Sequence, residues 1–172
     1  MLKVFLLVRA ASTVTAQKVQ HYIQFTHVPL ALTAPITARL MQRLTLNHVV
    51  DGGGTNCRPH QPLPGLVTIV EHAFDGGGEA VGKIMSDDYY IANVASDEQY
   101  MIENLMDGVP QFIAIEDEAI VFHSNAPATL KLFDFICRPA EMPRQEFLAR
   151  LDSDAEWARS GLASKKWRVP LR

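Results

Sequence analysis

The chain has 172 residues, 48% of them hydrophobic and 20% charged, with a formal net charge of −3. That length suits one ordinary domain, or one compact unit with an appendage, and the composition supplies a real apolar core. The mild acidity excludes a broad basic surface, and with it phosphate-backbone binding to nucleic acid as the main activity. Two cysteines, Cys57 and Cys137, lie far apart and fit a reducing compartment better than a disulfide framework.

The N-terminal run Met1–Val8 superficially resembles a secretory signal, but Arg9 interrupts it after Val4–Val8, too short for the apolar region of a signal. Lys3–Arg9 reads instead as an opening strand. No run approaches the roughly 18 apolar residues of a membrane span, so the expected setting is the cytoplasm, away from membranes.

Val14–Pro29 carries the most information. Val19, Tyr22, Ile23 and Thr26 fall at i, i+3, i+4 and i+7, one face of a helix. Thr15 predicts the N-cap, and Pro29 predicts where regular helix fails. His27, four residues after Ile23, shares the packed face. A strand followed by a helix thus brings a titratable imidazole to the edge of an apolar interior.

Leu30–Gln42 reads as an irregular, Pro-interrupted helical extension. Arg43–Val50 alternates, with Leu44, Leu46, His48 and Val50 on one face and Thr45 and Asn47 on the other, and predicts a second strand. Asp51–Gly65, dense in Gly and Pro, is loop. Leu66–Phe74 is the strongest strand signal, with Glu71 and His72 near its end, and Asp75–Gly78 is a turn. A helical region spans about Glu79–Leu105 with a break near Ser86–Asp88. Val109–Glu118 predicts the fourth strand. The order β-α-β-β-α-β is the ferredoxin-like arrangement, an α+β fold with both helical regions on one face of an antiparallel sheet. The other face, partly apolar, calls for cover by a partner sheet or an internal duplicate.

Such a duplicate is legible. Lys131–Arg138 echoes Lys3–Arg9, and an offset of 128 aligns Met142 with Val14, Phe147 with Val19 and Leu151 with Ile23. His27 is matched by Ala155. The expected organisation is a ferredoxin-like domain over residues 1–125 and a partial second repeat over 126–172.

Val14-Thr15, Val19, Tyr22-Ile23 and His27-Val28-Pro29 resemble the signature of EthD-type proteins, and the resemblance extends through Val70–Asp75, Asp97-Glu98 and Ile115–Glu118. Val14, Val19 and Ile23 stand where that pattern has bulkier Met, Phe and Trp, enlarging the space under the helix. The resemblance implies a dimeric α+β barrel built from two facing sheets. It also implies chemistry of the kind linked to ether degradation, polyketide dehydration or muconolactone isomerisation.

His27 is the candidate catalytic residue, because an imidazole titrates near neutral pH and can take or give a proton next to a carbonyl. Its alternative role is structural, hydrogen-bonding the strand or capping the helix end. Tyr22 at the pocket wall, Asn47 or His48 as donors to an enolate oxygen, and Glu71 as a second proton carrier complete the candidate substrate-binding set. No cofactor is called for. The two Asp-Gly-Gly-Gly runs lack the Gly-Lys-Ser/Thr of a phosphate loop and read as turns. Cys57 and His60 lack the second pair a zinc site needs, and His72 reads as a packed strand residue. The expected function is cofactor-independent lyase or isomerase chemistry on a small hydrophobic carbonyl compound, such as a polyketide or aromatic-degradation intermediate. Alternatives are a non-catalytic ligand-binding or stress-associated dimer and a cofactor-free monooxygenase.

Overall fold

The computed structural model describes residues 1–49, 65–115 and 138–153. The chain divides into two compact units, Met1–Asp117 and Glu118–Arg172. In the first, β1 (Leu2–Arg9), β2 (Met41–His48), β3 (Leu66–Phe74) and β4 (Gln111–Ile115) form one antiparallel sheet in the order β2-β3-β1-β4. Helical segments fill the two crossovers, so the fold is the ferredoxin-like β-α-β-β-α-β unit.

The alternation of β1 and β3 decides what each sheet face carries. Val4, Leu6 and Val8 of β1 share a face with Val70, His72 and Phe74 of β3, because Val4 pairs with His72 and Leu6 with Val70. That face packs under the helices. The opposite face carries Phe5, Leu7, Ile69, Glu71 and Ala73, all buried. Both faces of the two central strands are therefore shielded, which is why β3 reads as a nearly unbroken apolar run rather than a clean alternation.

The first crossover departs from regular helix in an informative way. Thr15 caps α1 (Ala16–Tyr22), its hydroxyl accepting from the Lys18 backbone amide. Ile23–His27 then forms a wide π-helical turn, with the Val28 amide reaching back to the Ile23 carbonyl. The helix continues through α2 (Val28–Thr33) with Pro29 in its first turn. The expected stop at Pro29 does not occur. A proline is tolerated at a helix start, where its missing N–H has no intrahelical partner to lose, and the wide turn makes Pro29 such a start. The real stop is Ala34, extended at φ −68° and ψ 119° ahead of Pro35. α3 (Pro35–Leu40) follows and leads directly into β2.

The wide turn also rotates the packed face. Val19 and Ile23 are buried and His27 turns inward as the spacing predicts, but Thr26 is exposed and Val28 is half-buried in its place. One extra residue per turn moves every later position round by about one residue, which a strict 3.6-residue period misses.

In the second crossover Gly76 and Gly77, at φ 90° and 65°, make the left-handed turn into α4 (Gly77–Met85). The other Asp-Gly-Gly-Gly run, at Asp51, lies outside the described residues, as do Cys57 and His60. The helix breaks at Ser86 as expected. Asp87 caps α5 (Asp88–Asn93), accepting from the Tyr90 amide, and α6 (Ala95–Asn104) completes the layer. β4 is described as far as Ile115, and the rest of the expected Val109–Glu118 strand lies outside the described residues.

Of the second unit, residues 144–153 are helical. A helix alone does not make a repeat. The strand copy Lys131–Arg138 falls outside the described residues except for Arg138, and Ala155 lies outside them as well. Among the described residues no helix is long and apolar enough to cross a membrane.

Two apolar clusters hold the helices to the sheet, one around Leu2, Val4, Phe74, Ile84, Tyr90 and Val94, the other around Val8, Val19, Ile23, Val70 and Leu105. Leu105 is 1% exposed at the end of α6. Leu105→Ala lowers stability by about 2–5 kcal/mol, measured as a shift in urea midpoint at constant slope, whereas a loss under about 1 kcal/mol contradicts this packing.

Candidate functional site

Between the helices and the sheet lies a cavity of about 470 Å³. Its walls are almost wholly apolar: Val4, Leu6, Val8, Val70 and Phe74 from the sheet, Ile23, Val28 and Ala31 from the first crossover, Met101 and Met106 from the region of α6. Five polar side chains interrupt this lining: His27, Thr37, His72, Tyr90 and Glu98. An apolar pocket with a few convergent polar groups is the usual form of a small-molecule site.

His27, at the end of the π-helical turn, is the centre of a relay. Its Nδ1 lies 2.8 Å from Asp97 Oδ2, with side-chain exposures of 18% and 11%. The other Asp97 oxygen accepts a 2.5 Å hydrogen bond from the Tyr22 hydroxyl. A carboxylate can only accept, so Nδ1 carries the proton and the lone pair of the neutral ring sits on Nε2. No described residue hydrogen-bonds Nε2. Burial, and then the bond to Asp97, push the Tyr22 hydroxyl up to about 12, so Tyr22 stays a donor at any physiological pH.

Asp97 and Glu98 are consecutive in the first turn of α6, where the helix dipole favours negative charge. Neighbouring helical positions point about 100° apart, and the two carboxylates diverge accordingly. Glu98 accepts a very short hydrogen bond from Tyr90, a buried residue of α5. Burial first, and Glu98 second, raise the Tyr90 hydroxyl well above its ordinary value, so it too remains a donor.

His72 reaches the cavity from β3, stacked on Phe74 with ring centroids 5.8 Å apart. Burial, and next the charge of His27, push it down from 6.5 to about 4, against a smaller upward pull from the Val4 backbone. His72 is therefore neutral near pH 7, and the cavity floor adds no cation. Thr37 of α3 is 1% exposed, and its Oγ1 has no hydrogen-bond partner among the described residues. Leaving a buried hydroxyl unpaired costs about 1–3 kcal/mol.

Of the residues singled out in the sequence, the structure brings His27 to the cavity and places Tyr22 behind it, bonded to Asp97 rather than lining the wall. The other three stand elsewhere. Asn47 Nδ2 donates to the Ile69 carbonyl at 3.1 Å, on the far face of the sheet. His48 is on the helix face but at the strand end, where its ring nitrogens meet Thr68 Oγ1 at 3.1 Å and Gln24 Oε1 at 3.2 Å. Glu71, 3% exposed, lies on the far face 3.0 Å from Arg43 Nη2 and 3.9 Å from Lys3 Nζ. Strand parity separates Asn47 and Glu71 from the cavity. The residues that replace them are Asp97, Glu98, Tyr90, Thr37 and His72. Asp97-Glu98 at a helix start was a visible signal, but its partners lie 70 and 75 residues away for Asp97, beyond any spacing rule.

No family model matches the chain, and no curated protein matches it. Among solved structures the chain is similar to an EthD family protein from Bacillus halodurans, with 17% identity and a TM-score of 0.47, over 69% of this chain and 99% of that one. It is also similar to a hypothetical protein of Arabidopsis thaliana, with 18% identity and a TM-score of 0.44, over 69% of this chain and 89% of that one.

His72 gives the site a pH signature. The unfolded chain protonates this imidazole near 6.5 and the folded chain only near 4, so the unfolded state binds more protons between those values. Its contribution to stability is complete above about 6.5 and falls away toward pH 4, by at most about 3 kcal/mol. His72→Phe removes that part of the slope, which is measured by comparing denaturation of the two proteins from pH 7 to pH 4. Identical slopes contradict a half-buried His72 that stays neutral.

Proposed function

We propose that the chain is a cofactor-independent acid/base catalyst, of lyase or isomerase type, acting on a small, uncharged, largely apolar carbonyl compound such as a polyketide or aromatic-degradation intermediate. One observation carries the reading. Asp97 holds His27 by Nδ1, leaving the basic nitrogen free at the wall of an apolar cavity.

In this mechanism Nε2 takes a proton from the carbon next to the carbonyl, and the electron pair moves onto the carbonyl oxygen as an enolate. Asp97 stabilises the imidazolium that forms. The imidazolium then returns the proton either to a departing β-hydroxyl, releasing water, or to a different carbon, giving an isomer. Atoms balance in both branches without a further reactant. Tyr22 supports the relay by fixing Asp97 rather than by touching the substrate. Tyr90 and Glu98, facing the same space, form a second polar contact for the ligand. A homodimer in the cytoplasm is the setting this reading assumes.

The test uses bicyclic β-hydroxyketones, whose loss of water is followed by absorbance. His27→Ala lowers kcat by about 10²–10⁴-fold while binding persists. Asp97→Asn lowers it less, since the imidazole remains but its tautomer is no longer held. Turnover undiminished in His27→Ala contradicts the proposal. Binding of the whole panel without turnover by the unaltered protein favours a ligand-binding role instead.

A further inference from the structure

The acid/base reading accounts for His27, Asp97 and Tyr22, and Glu98 is satisfied by Tyr90. It leaves the Thr37 hydroxyl unexplained. Thr37 is 1% exposed, lines the cavity, and has no hydrogen-bond partner for Oγ1 among the described residues. Buried hydroxyls are rarely left so. A helical threonine commonly returns its hydroxyl to the carbonyl three or four residues earlier. Thr33 in the same region does this, donating to the Leu30 carbonyl at 2.6 Å, whereas Thr37 does not.

The position adds to the point. Thr37 sits in the short helix α3, between Pro35 and the start of β2, so its backbone is fixed from both sides.

We propose that Thr37 is the ligand-recognition residue of this cavity, its hydroxyl donating a hydrogen bond to the carbonyl oxygen of an otherwise apolar, uncharged ligand. The inference rests on the proposed function only in taking the cavity as the ligand site. It supplies the donor that the enolate oxygen requires and that neither Asn47 nor His48 provides. His72, neutral near pH 7, fits the same ligand class, because the cavity floor holds no cation to favour a carboxylate.

The experiment compares 2-acetylnaphthalene with 2-ethylnaphthalene, which has the same shape but no carbonyl, by ligand-observed NMR on the full chain. The unaltered protein binds the ketone more tightly by about tenfold. Thr37→Val, which keeps the shape and removes the hydroxyl, reduces that preference to within about twofold while affinity for the hydrocarbon stays constant. Thr37→Ser retains the preference. Because the valine removes an unpaired buried hydroxyl, its melting temperature is equal or higher, and Thr37→Ala serves as a second hydroxyl-free variant. The inference is overturned if the unaltered protein shows no preference for the ketone, or if the preference survives loss of the hydroxyl. His27→Ala, measured alongside, separates the two ideas. Loss of turnover there with an unchanged Thr37→Val preference overturns the recognition role alone, and unchanged turnover with a collapsed preference overturns the catalytic role alone.

Discussion

The Asp97 carboxylate, accepting from both His27 and Tyr22, is the interaction on which the rest of the site depends. It joins the first crossover to the second across 70 residues of chain and sets the rotation of the imidazole ring. A carboxylate with two donors on separate oxygens has few ways to move, so the ring it holds is well placed. The helix start beneath Asp97 favours its charge. Removing either donor loosens the other, so Tyr22 contributes to positioning although it does not reach the cavity.

The first helix widens at Ile23–His27, where it presents the imidazole. In a regular helix the position following Ile23 on the packed face is shared between Thr26 and His27. The wide turn exposes Thr26 and turns His27 and Val28 inward. The same turn accommodates Pro29, so the proline and the histidine are two consequences of one local departure. Sheet parity then completes the selection. With Val4 opposite His72 and Phe5 opposite Glu71, His72 faces the ligand space and Glu71 faces away, toward Arg43 and Lys3.

Much of the fold was legible because strands and helices here follow their periods. β1, β3, the Thr15 cap and the break at Ser86 all rest on local rules of spacing and turn chemistry. The stop expected at Pro29 fails for a physical reason, since a proline ends a helix only where its N–H was needed. The site was legible in one residue, His27, whose face could be counted. Asp97 and Tyr90 were not, because hydrogen bonds between distant elements leave no period. Glu71 was misplaced because an apolar run buried on both faces hides which parity looks at the helices, and Asn47, opposite Leu44 and Leu46 in its strand, falls on the far face with it.

The most direct test of the account is the tautomer of His27 in the unaltered protein, read from ¹⁵N chemical shifts and two-bond couplings of the imidazole, with the signals assigned by His27→Gln. An imidazole held by Asp97 is protonated on Nδ1 and carries its lone pair on Nε2. A histidine side chain free in water prefers the opposite tautomer. Observation of the Nδ1–H form supports a base aimed at the cavity, and an Nε2–H ring in the neutral protein contradicts it.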